Sequence, residues 1–144
     1  MRVLVLHGPN LNLLGQREPE IYGTETLAEL NEAVVAAARD LGVEVRCEQY
    51  NSEGEIIHAL HRAPQDCAGI VINPGAYAHY SYAIADAIAA IGIPVVEVHI
   101  SNIAGREAFR RTSVTAVPCR GVVSGLGAHG YVLALRALRE ILAS

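Results

Sequence analysis

The chain has 144 residues, of which 51% are hydrophobic, and its formal net charge is −4. This length is typical of a single domain, which we predict over residues 1–144 and which can bury a core without a disulfide or a metal. The acidic balance argues against nucleic acid as a partner, because binding to phosphates requires a basic surface.

The cysteines and the first apolar segment indicate the cellular compartment of the protein. Cys47, Cys67 and Cys119 are odd in number and far apart, which favours reduced core thiols over disulfides or a metal site. The apolar run at 3–6 is too short for a signal peptide or a membrane span. We therefore expect a cytoplasmic protein that does not contact a membrane.

In chain order, the predicted elements begin with a strand at 3–6, whose continuous apolar run is typical of burial on both faces. A long polar loop follows at 7–23. Thr26 and Glu29 have the spacing of a capping box, so the first helix is expected to begin there and to end at Gly42.

The alternation of strands and helices continues to the C-terminus. We predict strands at 43–49, 69–72, 94–100 and within 114–123, helices at 53–62, 79–91 and 130–142, and a helical turn at 106–111. This series of βα units indicates an α/β fold. The best assignment is a flavodoxin-like, doubly wound parallel sheet of five strands in the order 2-1-3-4-5, with helices on both faces.

In such a sheet, ligands bind beyond the carboxyl ends of the strands, near the point where the strand order reverses. Here that point is formed by the loops after the first, third and fourth strands. Their polar residues are Asn10, Asn12, Arg17, Glu18, Tyr22, Asn73, Tyr77, His79, Glu97, His99, Ser101, Asn102, Arg106, Arg110 and Arg111. The other two loops hold fewer such groups, so we expect an active site at this edge.

Taken singly, these residues also have interpretations without function. Asn10 could shape a turn, and Tyr22 could pack on the surface. His99 lies on the same strand face as Glu97 and could be a partly buried, hydrogen-bonded histidine. The arginines after the fourth strand have helical spacing and could form a solvated face.

Taken together, the residues indicate proton transfer. They combine a phenol, imidazoles, arginines and amides, without a nucleophile elbow or a phosphate-binding loop after the first strand. A phenol acts as a base in its charged form, which nearby cations favour, and Arg17 lies on the same loop as Tyr22. Arginines and backbone amides also suit a substrate that carries a carboxylate.

Two further patterns resemble binding motifs. His58 and His61 lie three residues apart on a predicted helix but have no third ligand, which is typical of a surface pair. Residues 125–130 match G-x-G-x-x-G, but no strand follows to carry the acidic ribose ligand of a dinucleotide site. Tight turning and close helix packing explain these glycines, so we expect neither a metal nor a cofactor.

Several long segments form a more specific pattern. They are HGPNLNLLG at 7–15, REPEIYG at 17–23, NPGAYAH at 73–79, EVHISN at 97–102, REAFRR at 106–111 and GLGAHGY at 125–131. In content and order they closely resemble the motifs of type II 3-dehydroquinate dehydratases, over essentially the whole chain.

The resemblance implies anti elimination of water from 3-dehydroquinate, which gives 3-dehydroshikimate through an enolate. This reaction belongs to the shikimate pathway of aromatic amino acid biosynthesis and to quinate breakdown. Tyr22 matches the base and Arg17 the residue that activates it. His99 matches the acid that protonates the leaving hydroxyl, and Glu97 would orient it. Asn10 matches a residue that holds a water against the enolate oxygen.

The resemblance also implies how substrate binds. Asn73, His79 and Arg110 match residues that bind hydroxyls, and the backbone amides of Ile100 and Ser101 match a carboxylate site. Asp86 matches an acid contributed by a neighbouring subunit, in trimers of which four form a dodecamer. The chain contains no lysine, which excludes the lysine imine used by the other class of the same activity.

The chain departs from the family pattern at a few positions. His7 stands where Asn is usual, and Ala85 stands before Asp86 where Arg is common. Residues 78–82 also differ, a histidine common before Arg106 is missing, and 111–112 replace a common His-His pair. Two alternative functions were also considered. A flavodoxin-like electron carrier lacks support, because no Ser/Thr-rich loop follows the first strand. A protein that binds a small acid without turnover is the second alternative.

Overall fold

A parallel sheet of five strands forms the centre of the computed structural model, which describes residues 1–144. The strands are β1 (Arg2–His7), β2 (Glu44–Gln49), β3 (Gly69–Asn73), β4 (Val95–His99) and β5 (Gly121–Ser124). Their order is β2-β1-β3-β4-β5, and every neighbouring pair is parallel. The predicted flavodoxin-like strand order is therefore confirmed.

Helices cover both faces of the sheet. They are α1 (Pro19–Tyr22), α2 (Leu27–Asp40), α3 (Glu53–Arg62), α4 (Tyr82–Ala90) and α5 (His129–Ala143). The helices α2 and α5 pack on one face, and α3 and α4 pack on the other. None of these helices combines the length and the apolar character that crossing a membrane requires.

The alternation of side chains along β1 builds the two halves of the core. Val3 and Val5 point towards α2 and α5, whereas Leu4 and Leu6 point towards α3 and α4. All four are at most 1% exposed. Because both faces of the strand are buried in this way, polar chemistry is confined to the carboxyl edge of the sheet.

The capping box predicted for α2 is present. The Glu29 backbone N–H donates to Thr26 Oγ1 at 3.2 Å, and the Thr26 N–H donates to Glu29 Oε1 at 3.1 Å. A cap of this kind contributes about 1 kcal/mol to helix stability. The chain leaves the helix at Gly42, whose φ of 72° suits glycine.

The predicted start of the helix at 79–91 was wrong. Residues Gly75–His79 form a 3₁₀ turn, and α4 begins only at Tyr82. Ser81 is the N-cap, since its hydroxyl accepts from the Ile84 N–H at 3.1 Å. The earlier residues are held differently, because His79 Nδ1 bonds the Thr112 carbonyl at 2.8 Å.

The fifth strand was placed too early, at 114–123, whereas β5 is Gly121–Ser124. The preceding residues form turns, in which the Cys119 N–H donates to the Ala116 carbonyl at 3.0 Å and Ser113 bonds Glu97. Pro118 has no backbone N–H to donate to a strand ladder.

Two smaller predictions have different outcomes. The segment 7–23, expected to be a loop, also contains the 3₁₀ turn Leu11–Leu13 and the helix α1. The helical turn predicted at 106–111 is confirmed as the 3₁₀ turn Ala108–Arg110, and a second 3₁₀ turn, Ile103–Gly105, precedes it. The three cysteines are free thiols, and only Cys67 is fully buried.

Candidate active site

The loops after β1, β3 and β4 meet around one cavity of about 100 Å³ at the carboxyl edge of the sheet. Its lining includes most of the predicted site residues: Asn10, Arg17, Tyr22, Asn73, His79, His99, Ile100, Ser101 and Arg110. A wider groove of about 770 Å³ adjoins it, and Tyr22, Ile100, Ser101 and Arg106 line both. We take the smaller cavity as the site because the histidines and Asn73 open into it.

Tyr22 lies at the end of α1 with two guanidinium groups on its phenol. Arg17 Nη2 donates to Tyr22 Oη at 3.2 Å, and Arg106 Nη1 donates to it at 2.8 Å. The Arg17 Cζ atom also lies 4.4 Å from the centre of the ring. Two guanidinium groups from different loops therefore meet at one phenol oxygen.

Arg106 is itself held in place. Its Nη1 also donates to Ser101 Oγ at 3.2 Å, and its Nη2 lies 4.0 Å from Glu18 Oε2. Its side chain is only 12% exposed. The sequence had placed this arginine at the rim without assigning it to Tyr22, because no local spacing connects residues from different loops.

His99 and Glu97 form a buried pair at the end of β4. His99 Nε2 and Glu97 Oε2 are 2.8 Å apart, and the two residues are 5% and 0% exposed. The Glu97 carboxylate accepts a hydrogen bond from Nε2, which fixes the tautomer and the orientation of the ring. The other ring nitrogen, Nδ1, is thus the one available to the cavity.

Two hydroxyl groups orient Glu97 from behind. Ser113 Oγ donates to Glu97 Oε2 at 2.6 Å, and Thr115 Oγ1 donates to Oε1. Both residues lie in the turns before β5, and only Thr115 falls within the segment where we had predicted a strand. Their role was missed because only the tertiary fold brings the turns beneath β4.

Asn73 and His79 enter the cavity from the β3 side. The Asn73 side chain accepts from the Gly75 N–H at 3.1 Å and donates to Tyr131 Oη at 3.0 Å. His79 donates from Nδ1 to the Thr112 carbonyl, so its Nε2 is an acceptor, and its ring stacks on that of His99 with centroids 6.3 Å apart. Each residue therefore keeps hydrogen-bonding capacity for a ligand.

The remaining residues on this edge are placed as follows. Asn10 has a left-handed backbone with φ 69°, and its N–H donates to Asn51 Oδ1 at 3.0 Å. Arg110 Nε donates to Glu107 Oε2 at 2.8 Å while its side chain borders the cavity. The backbone N–H groups of Ile100 and Ser101 take no part in the hydrogen bonds of the turns and loops.

Asp86 is not brought to this cavity within one chain. It lies on α4 beside an exposed groove that also includes Tyr82, Ala85 and Val117. A role for Asp86 at a site would therefore require a second subunit.

The glycines of the 125–130 segment serve backbone packing. A Cβ on Gly125 would lie 2.9 Å from Asn102 Cβ, and its φ is 88°. Gly130 lies close to Val123 and Val98 at the start of α5, where a Cβ would meet their methyl groups at 3.3 and 3.4 Å. These contacts match the structural interpretation of the motif.

Comparisons with known proteins agree with the site. The family model "Dehydroquinase class II" matches residues 1–139. A 3-dehydroquinate dehydratase of Pelotomaculum thermopropionicum is 56% identical, over 95% of each chain. Crystal structures of type II dehydroquinases from Butyrivibrio crossotus and Propionibacterium acnes superpose with TM-scores of 0.94 and 0.93, at 48% and 47% identity. The first alignment covers 96% of this chain and 97% of the other, and the second covers 96% of both.

A match of this extent, together with the same strand order and a phenol, an imidazole and arginines at one edge of the sheet, shows that the chain belongs to the class II dehydroquinase family of enzymes.

Proposed function

We propose that this enzyme removes water from 3-dehydroquinate by anti elimination, through an enolate, to give 3-dehydroshikimate. The observation that carries the proposal is the Tyr22 phenol between Arg17 and Arg106. The names of the relatives support the same substrate. The chain has no lysine, so no lysine imine can form with the ketone.

The first step is removal of a proton from the carbon next to the ketone. Tyr22, as phenolate, takes this proton, and the electron pair of the C–H bond moves to the ketone oxygen to form the enolate. Enolate charge has to be stabilised as it develops. A water held by Asn10 at the cavity wall supplies a hydrogen bond to that oxygen.

The second step is loss of the hydroxyl. The enolate re-forms the ketone, the new carbon–carbon double bond forms and the C–O bond breaks. His99 donates a proton to the departing oxygen, which leaves as water. Glu97 stabilises the imidazolium before the transfer and keeps its orientation. A positioned acid or base contributes a factor of about 10²–10⁴.

Substrate binding uses groups on two loops, those after β3 and β4. Asn73, His79 and Arg110 bind hydroxyls of the ring, and the N–H groups of Ile100 and Ser101 bind its carboxylate. The support for these roles is that all five residues line the same cavity and that their polar groups have free capacity. A carboxylate suits backbone amides and arginines.

We also propose a homo-oligomer, built from trimers that associate into a dodecamer, in which Asp86 of one subunit approaches the site of the next. The exposed apolar side chains beside Asp86 support this assembly, since Tyr82 is 71% and Val117 is 84% exposed. The free thiols suit a reducing compartment such as the cytoplasm.

The test is direct turnover of 3-dehydroquinate, followed by the ultraviolet absorbance of the conjugated enone carboxylate. The wild type should produce this signal, also after treatment with borohydride, which traps imines. Tyr22→Phe should lose most of kcat while still binding substrate. Tyr80→Phe is the matched control, because Tyr80 is 59% exposed. Binding of substrate by the wild type without any product would instead indicate a binding protein.

A further inference from the structure

A chain of four polar side chains lies beneath the site and is not used by the reaction steps above. His7 and Tyr131 are 0% exposed, and Asn73 is 4% exposed. His7 Nε2 lies 2.8 Å from Asn31 Oδ1, and His7 Nδ1 lies 3.2 Å from Tyr131 Oη. Tyr131 Oη also accepts from Asn73 Nδ2 at 3.0 Å. Only the Asn73 end of this chain reaches the cavity.

The hydrogen bonds of this chain can run in only one direction. The Asn73 amide nitrogen can only donate, so the Tyr131 oxygen accepts and its own hydrogen goes to His7 Nδ1. His7 Nε2 then carries the ring proton and donates to Asn31 Oδ1. At the other end, Asn73 Oδ1 accepts from the Gly75 N–H. The Asn73 carboxamide is thus fixed at both of its polar atoms, with one N–H left over for a ligand.

The same chain connects two strand ends that carry site residues. His7 and Asn73 are direct partners in the register of β1 and β3. The Gly8 N–H donates to the Asn73 carbonyl at 2.7 Å, and a Cβ on Gly8 would lie 2.7 Å from the Pro74 backbone. The segment that leads to Asn10 is therefore packed directly against the segment that follows Asn73.

We infer that His7 and Tyr131 are positioning residues, which hold the Asn73 carboxamide so that its second N–H points to a hydroxyl of the substrate. They touch no substrate themselves and act through Asn73. The inference depends on the proposed function, in which Asn73 binds substrate. The inference also requires that residue 7 present a hydrogen-bond acceptor to the Tyr131 hydroxyl. In His7 this acceptor is Nδ1, which lies two bonds from Cβ.

This geometry predicts which substitutions of His7 are tolerated. In His7→Asn, the side-chain oxygen stands where Nδ1 stands in histidine, so the Tyr131 hydroxyl keeps its acceptor. In His7→Leu, the side chain is of similar size but has no hydrogen-bond acceptor. The Tyr131 hydroxyl and Asn31 are then left without a partner in the core.

The primary test is Tyr131→Phe, which keeps the buried ring and removes only the oxygen that Asn73 bonds. The KM for 3-dehydroquinate should rise about tenfold, the fold-change expected for one hydrogen bond, whereas kcat should stay within about twofold. Merely structural damage would reduce the amount of active enzyme and thus apparent kcat, without changing KM. Tyr50→Phe is the matched control, since that phenol also donates a hydrogen bond, to Glu48 at 2.7 Å, but outside the site.

Three more variants make the test specific. His7→Leu should raise KM as Tyr131→Phe does, and His7→Asn should restore it to near the wild-type value. In an Asn73→Ala background, Tyr131→Phe should have no further effect on KM, because the residue it positions is gone. If Tyr131→Phe does not fold, the inference is tested by comparing the KM values of His7→Asn and His7→Leu.

The inference is overturned if wild-type protein turns over substrate but Tyr131→Phe leaves KM within twofold, or if its effect persists in full without Asn73. A wild type with no turnover would overturn the proposed function instead.

Discussion

Arg106 donates to the Tyr22 phenol oxygen at 2.8 Å, although the two residues are 84 positions apart in the sequence. This contact is shorter than the 3.2 Å contact from Arg17, which is only five positions away. The distant arginine is anchored by Ser101 and by the ion pairs to Glu18 and Glu107. The shorter cationic contact to the proposed base thus comes from the loop after β4, and not from the loop that carries Tyr22.

Arg106→Gln should therefore lower kcat by about 10²–10³, the range seen when one donor to a developing or fixed anion is removed. Arg17→Gln should have a smaller effect, because its contact is longer. Arg136→Gln on the exposed face of α5 is the control. Steady-state turnover of 3-dehydroquinate measures all three. An Arg106→Gln enzyme with normal kcat would show that Arg17 alone supports the base.

The hydroxyl groups behind Glu97 should affect catalysis through His99. Thr115→Val preserves shape but removes the hydroxyl that donates to Glu97, so His99 loses part of its orientation and kcat should fall about tenfold. The free energy of unfolding should also fall by about 1–3 kcal/mol, because a buried carboxylate loses a donor. Thr115→Ser keeps the hydroxyl and should behave almost as wild type. Equal activity of the Val and Ser variants would contradict this role.

His7 should make the protein sensitive to acid. Burial lowers the pKa of His7 to about 4, from an ordinary value of 6.5. Below pH 6.5 the unfolded chain takes up a proton at this site that the folded chain does not, so stability present at neutral pH is lost as the pH falls towards 4. The loss from this residue reaches about 3 kcal/mol, since one pKa unit corresponds to about 1.4 kcal/mol.

Denaturant unfolding of wild type and His7→Asn at pH 7 and pH 4.5 measures this effect. Between pH 7 and pH 4.5, the free energy of unfolding should fall further for the wild type than for His7→Asn. His58→Asn, at an exposed position on α3, controls for the removal of a histidine. Parallel acid curves for wild type and His7→Asn would show that the ring is charged in the folded protein.

The segment from about 14 to 23 should close over bound substrate. Gly15 and Gly23 flank it with φ values of 89° and 80°, and it carries both Arg17 and Tyr22. Closing segments of this kind exclude water from a reaction. Trypsin should cut after Arg17 more slowly when a substrate analogue is bound, relative to cleavage after Arg136. Equal rates with and without the analogue would argue against closure.

The elements most accurately predicted were those with strong local signals. The apolar runs of β1 and β3 and the capping box at Thr26 depend on neighbouring residues alone, so the sequence was sufficient to locate them. The alternation of elements predicted a parallel sheet, and the order 2-1-3-4-5 was the best assignment for five βα units. The edge of the sheet that holds the candidate site followed from that order.

The errors arose where tertiary contacts override local pattern. The fifth strand was predicted within 114–123, but only the end of that segment joins the sheet, because Ser113 and Thr115 bond Glu97 instead. The spacing of Arg106 and Arg110 suggested a helix face, yet both side chains border the cavity, Arg106 from the bend after one 3₁₀ turn and Arg110 from within the next. Hydrogen bonds between distant residues leave no periodic signal in a sequence.

The two proposed proton-transfer residues, His99 and Tyr22, are held in the structure in different ways. His99 is part of β4 and is backed by a buried carboxylate, so its position is as rigid as the sheet. Tyr22 lies on the short helix α1, in the same segment as Arg17 and between Gly15 and Gly23. Arg106 belongs to the loop after β4. An outward swing of the 14–23 segment would take Arg17 along with the phenol but separate the phenol from Arg106. If Tyr22 is the base, as we propose, its full set of contacts would then form only after the segment has closed, which would couple the reaction to capture of the substrate.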